Sequence, residues 1–172
     1  MQSKSFSKKS GDRHPCHFRL RGPTSPGERP EETAWHTYLM VSALIEHIVT
    51  GKAPLPRGHY AQATRANGLV FVSGQLPLAA DGEVTLAEGL EAQVRQALSN
   101  VREILLAAGS DVGELLSVQI FVADIETWPR VNEIYREFVG DPAPARTVVP
   151  CGRLHYGAQV EISAIALCGD AP

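Results

Sequence analysis

Pro144-Ala145-Arg146-Thr147-Val148-Val149 and, after a short connection, Val160-Glu161-Ile162-Ser163-Ala164-Ile165-Ala166 decide how this chain is read. Both stretches alternate and are rich in β-branched residues, so both read as strands. Each places one charged side chain among apolar neighbours, and a charge set into a sheet needs a partner or a task.

Working outward from these strands, residues 124–138 follow a helical period. Ile125, Trp128, Val131, Tyr135 and Phe138 fall on one side, Asp124 is available as the cap, and Pro129 is tolerated in the first turn. Residues 115–122 form a mostly apolar strand. In residues 87–108, Leu90, Val94, Ala97, Leu98, Val101, Ile104, Leu105 and Ala108 recur at offsets of three and four, and Gly109 follows as the terminating residue. That is an amphipathic helix. Residues 60–66 and 69–75 flank Asn67-Gly68, the strongest short hairpin signal because both turn positions accept positive φ. A first strand is expected at residues 46–50, before an extended connection through Pro54 and Pro56.

The order β-β-β-α-β-α-β-β predicts an α/β (α+β) domain over residues 41–172. It has a mixed sheet, two helices on one face, and parallel strand pairs joined by right-handed crossovers. Alternation leaves apolar side chains on both faces: Val70 and Val72 oppose Leu69 and Phe71, and Val160 and Ile162 oppose Glu161 and Ile165. No third helix exists to cover the second face. A homo-oligomer whose sheets cover one another is expected, with sites in the clefts between subunits.

Composition narrows the function classes. Hydrophobic residues make up 44% and charged residues 20% of 172 residues, ordinary usage for one globular domain. Residues 1–30 carry seven Lys/Arg against Asp12 and Glu28, a net +5, so the overall −3 leaves −8 on the remaining 142 residues. An acidic body argues against nucleic acid as the partner, because phosphate neutralisation supplies most of that affinity. Residues 1–40, Ser-, Arg- and Pro-rich, are expected to form a disordered basic extension. Three readings of it compete: a tail without function, a start that belongs at Met40, or an organellar presequence, against which Pro23, Pro26 and Pro30 weigh. No apolar run is long enough to span a bilayer. Cys16, Cys151 and Cys168 have no metal-type spacing and cannot all pair, which suits a reducing, cytoplasmic location.

Arg146 and Glu161 are candidates for a charged pair on the exposed side of the sheet. An arginine fork suits a substrate carboxylate, and a nearby carboxylate can hold or activate water. The competing reading is an interfacial salt bridge with no chemistry. Tyr60 either walls a pocket or packs as an aromatic on a strand. Ser73 and Gln75 are site residues or polar rim. Cys151 is a nucleophile or, more in keeping with its surroundings, a small buried residue. His59 and His155 show no metal spacing, and there is no Gly-rich phosphate loop.

An ordered series covers about residues 47–167: Gly58-His59-Tyr60-Ala61-Gln62-Ala63, Leu69-Val70-Phe71-Val72-Ser73-Gly74-Gln75-Leu76-Pro77, Asn100-Val101, Ala107-Ala108-Gly109-Ser110, Val131-Asn132-Glu133-Ile134-Tyr135, Pro144-Ala145-Arg146-Thr147 and the Glu161 strand. Together they resemble the Rid/YjgF family of reactive-intermediate (enamine/imine) deaminases. The resemblance implies a chorismate-mutase-like fold and a homotrimer with a central barrel and three interfacial sites. It also implies hydrolysis of 2-imino acids to 2-oxo acids and ammonia, with no cofactor and no metal. By position, Arg146 matches the carboxylate-binding arginine, and Glu161 matches the glutamate that positions water with the Gly74 carbonyl. Tyr60, Ser73, Gly74, Arg146 and Val148 match substrate-binding positions. His59 stands where well-known members carry Pro, and Val148 where many carry Cys. A non-catalytic binder of small carboxylates and an endoribonuclease are the alternatives.

Overall fold

Asn67 and Gly68 take φ values of 52° and 73°, the left-handed pair that a two-residue hairpin requires. The computed structural model describes residues 45–81, 86 and 88–169, so what was expected of residues 1–40 lies outside the described residues. The turn joins β2 (Ala63–Ala66) to β3 (Leu69–Gln75), and β1 (Glu46–Ile48) pairs antiparallel with β2. Strand β2 is shorter than expected: Tyr60 sits before it in a turn where its N–H donates to the Gly58 carbonyl (3.1 Å). Tyr60 is therefore a loop residue, not an aromatic on a strand.

Helix α1 (Gly89–Ala107) follows, then β4 (Leu115–Val122), α2 (Trp128–Val139), β5 (Ala145–Pro150) and β6 (Val160–Leu167). Helix α1 stops as the sequence requires: Gly109, at φ 76°, turns the chain so that the Ser110 N–H reaches the Leu105 carbonyl (2.9 Å). The second helix differs from expectation at its start. Asp124 caps a 3-10 turn (Ile125–Thr127) by accepting from the Glu126 N–H (3.0 Å), and the α-helix begins only at Trp128, with Pro129 in its first turn.

The sheet runs β1-β2-β3-β6-β4-β5. Among the described strands only β4 and β5 are parallel neighbours. Strands β3 and β4, joined through α1, share a direction, but β6 lies between them and pairs antiparallel with both. The expected parallel neighbours around α1 are thus separated, because the last strand fills the gap the crossover leaves.

One face carries Val70, Val72, Val118, Ile120, Val122, Val160, Ile162, Ala164 and Ala166. All are buried beneath Val94, Ala97, Leu98, Val101, Ile104 and Leu105 of α1 and Val131 and Ile134 of α2. Each large aliphatic side chain buried there contributes about 1.5–3 kcal/mol. The opposite face is open: Phe71 and Leu167 remain 42% and 49% exposed, beside half-buried Leu69, Phe121 and Ile165. The two-sided sheet is observed, with one side covered by the chain's own helices. No helix among the described residues is long and apolar enough to cross a membrane.

Candidate functional site

Two buried amides shape the loops before the site. Gln62, 1% exposed, accepts from the Thr50 N–H (2.7 Å) and donates to the carbonyls of Thr50, Ala53 and Pro54 (3.1, 3.2 and 2.9 Å), pinning the irregular segment 50–54. Asn100 on α1 donates to the carbonyls of Leu76 and Leu78 (both 3.0 Å) and so fixes the chain leaving β3. The two side chains supply donors to carbonyls that lie outside the named strands, that of Leu76 also accepting from the Leu78 N–H (2.8 Å).

Between the segments lies a half-open cleft of about 270 Å³. Its walls include Leu55, Tyr60, Gly74, Leu76, His155 and Tyr156. Tyr156, half exposed, holds a left-handed backbone (φ 60°) in the connection to β6. At the cleft's edge β3 bulges. The register with β6 shifts between Val72 and Gln75, setting Ser73 and Gly74 together against the partner strand. The bulge brings Gly74 under Glu161: a Cβ built on Gly74 would lie 2.1 Å from Glu161 Oε1. Only glycine lets the carboxylate rest there. The Ser73 hydroxyl donates to the Ala61 carbonyl (2.7 Å), leaving its oxygen as an acceptor.

Arg146 lies elsewhere. On β5 it pairs with Val118 of β4, and in-register partners project from the same side, so Arg146 and Val148 share the helix-covered face with Val118 and Ile120. Glu161 pairs with Phe121, one residue out of phase, and belongs to the open face. The two charges also stand two strands apart, about 10 Å in the hydrogen-bonding direction. The expected charged pair on one exposed side is therefore overturned, because alternation sends the side chains apart. Val148 packs against the core.

The guanidinium of Arg146 is held by aromatic faces. Its Cζ lies 4.5 Å from the Trp128 ring centroid and 4.7 Å from that of Tyr135. Among the described residues neither Arg146 nor Glu161 makes an ion pair or a hydrogen bond through its charged group. Tyr135 is 3% exposed, its hydroxyl has no partner among the described residues, and burial raises its pKa while the Arg146 charge opposes that shift. Cys151, expected to be buried, is exposed, and its thiol points toward the Val122 carbonyl at 3.6 Å.

The structure thus brings Tyr60, Gly74 and Glu161 to one region and sets Arg146 apart. Sequence reading missed the rings that flank the arginine. Their seven-residue spacing, two turns on one side of a helix, was the available signal.

Comparison with known proteins places this architecture. The family described as Endoribonuclease L-PSP matches residues 50–168. Reactive Intermediate Deaminase A, chloroplastic, of Arabidopsis thaliana is 40% identical over 121 residues, 70% of this chain and 65% of that protein. The 2-iminobutanoate/2-iminopropanoate deaminase of Homo sapiens is 34% identical over 130 residues, 75% of this chain and 95% of that protein. The crystal structure of the YjgF gene product of E. coli superposes with a TM-score of 0.67 at 35% identity, covering 71% of this chain and 98% of that one. With the mixed sheet, its two helices and the ordered motifs in agreement, the chain belongs to the Endoribonuclease L-PSP family, that of the YjgF and RidA proteins.

Proposed function

We propose that this protein hydrolyses 2-imino acids to 2-oxo acids and ammonia, in sites completed between copies of the chain arranged as a homotrimer. The observation that carries this reading is the disposition of two complementary charges, neither paired among the described residues. A guanidinium lies against two aromatic rings on one side of the sheet, and a carboxylate rests on a glycine bulge on the other. Within one chain they cannot meet. Across an interface that covers the open face, the arginine of one copy and the glutamate of the next can flank a single substrate.

The roles follow from the chemistry. Arg146 anchors the carboxylate through two parallel charge-assisted hydrogen bonds. Glu161, with the Gly74 carbonyl, accepts hydrogen bonds from a water and aims it at the imine carbon. Water adds to C=N, the resulting carbinolamine loses ammonia, and the 2-oxo acid remains. A protonated imine is electrophilic enough that orientation suffices, and orientation is worth several kcal/mol. Tyr60 walls the cleft, while Ser73 and Val148 shape the site without contacting the reacting atoms. Two relatives whose names include a deaminase activity support the reaction class.

The test generates the imine in situ with an amino-acid oxidase and scores competition with semicarbazide trapping. Wild type should reduce trapping and Arg146→Ala should not; equal trapping with and without wild type, across several side chains, contradicts the reading. RNA incubated in parallel should stay intact, in keeping with the −8 carried by residues 31–172.

A further inference from the structure

We propose that Trp128 and Tyr135 are positioning residues that hold the Arg146 guanidinium in one plane and thereby set the affinity for the substrate carboxylate. The inference rests on the carboxylate-anchoring reading above and deepens it.

Arg146 stands on β5, at the edge of the sheet, where a long charged side chain has many rotamers to choose from. Here the choice is removed. The two rings leave α2 seven residues apart, two turns and about 10 Å along the axis, and the guanidinium carbon lies within 4.7 Å of both centroids. Cations prefer the faces of such rings, and arginine stacks on them through its own flat face. With its faces engaged, the guanidinium has only its in-plane N–H groups left to offer. Those N–H groups are the fork that matches a carboxylate in bidentate fashion.

The platform is itself fixed. Val131 and Ile134, between the two rings in sequence, are fully buried. Arg130 on α2 pairs with Glu91 on α1, and Glu137 on α2 accepts from Arg95 on α1 at 2.7 Å. Tyr135 is buried at the cost of an unpartnered hydroxyl, so its ring sits where packing alone would favour phenylalanine. No anionic side chain competes for the guanidinium among the described residues, so its charge is kept for a ligand.

An anchor of this kind acts equally on bound substrate and transition state, so weakening it should raise KM and leave kcat nearly unchanged. Trp128→Leu should raise KM for the imino acid roughly tenfold with kcat within about twofold, and Trp128→Phe should restore most of the affinity. A second readout does not depend on turnover. Trp35→Phe leaves Trp128 as the chain's only tryptophan. Titration with 2-oxobutanoate should then change its fluorescence saturably, and adding Arg146→Met should abolish the change.

A saturable signal together with the KM effect and its rescue supports the proposal. A saturable signal without imine hydrolysis by wild type leaves the stacked arginine as an anchor and removes only the catalytic reading. Active enzyme whose KM is unmoved by Trp128→Leu, or a signal indifferent to Arg146, overturns the positioning role while the deaminase reading stands. If Trp128→Leu does not fold, the Arg146→Met fluorescence arm still decides.

Discussion

Arg146 and Glu161 project from opposite faces of the same sheet, Arg146 in register with Val118 beneath the helices and Glu161 in register with Phe121 on the open side. In the function proposed above, a single copy then offers two half-sites. The open face, with Phe71 and Leu167 exposed, is the surface through which they can be joined. Phe71→Arg should leave a folded chain that no longer assembles and no longer turns over imine. Sedimentation and circular dichroism would show this; a fully active monomer would contradict it.

Gly74 bears the carboxylate directly. An alanine there would place Cβ 2.1 Å from Glu161 Oε1 and 3.0 Å from Cδ, so the side chain must swing away. Gly74→Ala should cut turnover about 100-fold, the cost of a displacement on the order of 1 Å, while the melting temperature moves by only a few degrees because the displaced group is a side-chain end. Full activity would show that Glu161 need not rest on the bulge.

Asn100 holds the exit of β3 through the Leu76 and Leu78 carbonyls and accepts from Gln96 (2.9 Å). Asn100→Leu removes both bonds, leaving the Leu76 carbonyl only the Leu78 N–H (2.8 Å), and should cost about 1–3 kcal/mol, or roughly 3–10 °C in melting temperature. Calorimetry would register the shift. An unchanged melting point would mean that other groups take over the two carbonyls.

Tyr135→Phe removes a buried hydroxyl that lacks a partner among the described residues and keeps the ring. Stability in urea should hold or rise by up to about 1 kcal/mol. A clear loss would reveal a bound water or a partner's group on that oxygen.

Acid should weaken the fold through its ion pairs. Hydrogen bonds from Arg130 and then Arg95 hold the Glu91 carboxyl below its usual range. Arg102, and then the Val112 N–H, do the same for Asp111. Carboxyls lowered in the folded state stabilise it above their ordinary values near about 4 and lose that contribution as pH falls through the lower folded values. Urea midpoints should thus drop below about pH 4, and less steeply in about 1 M salt, because these groups are exposed and screened. A midpoint that rises on acidification to pH 3 would oppose this assignment.

Much of this was legible in the sequence, for physical reasons that also mark the limit. Asn67-Gly68 declared its hairpin because few other pairs accept two positive φ values. The 3.6-residue period wrote α1 to within two residues, and the alternation of β3, β4 and β6 showed two apolar faces. Placement of β6 between β3 and β4 was not legible, since strand order depends on pairings that no local pattern encodes. The same gap misplaced Arg146: alternation within β5 was plain, but which face it shared with Glu161 depended on register across two strands. The bulge at Ser73-Gly74 and the seat it gives Glu161 belong to that register too.

The measurement that tests the central claim most directly is complementation between two inactive variants. Arg146→Ala and Glu161→Ala, each without turnover alone, are co-expressed so that mixed oligomers form. If each site takes its arginine from one copy and its glutamate from the next, random head-to-tail pairing leaves roughly a quarter of the sites intact, and the mixture should recover about that share of wild-type imine hydrolysis. No recovery in oligomers shown to contain both chains would contradict the account, because it would place both residues in a site within one copy.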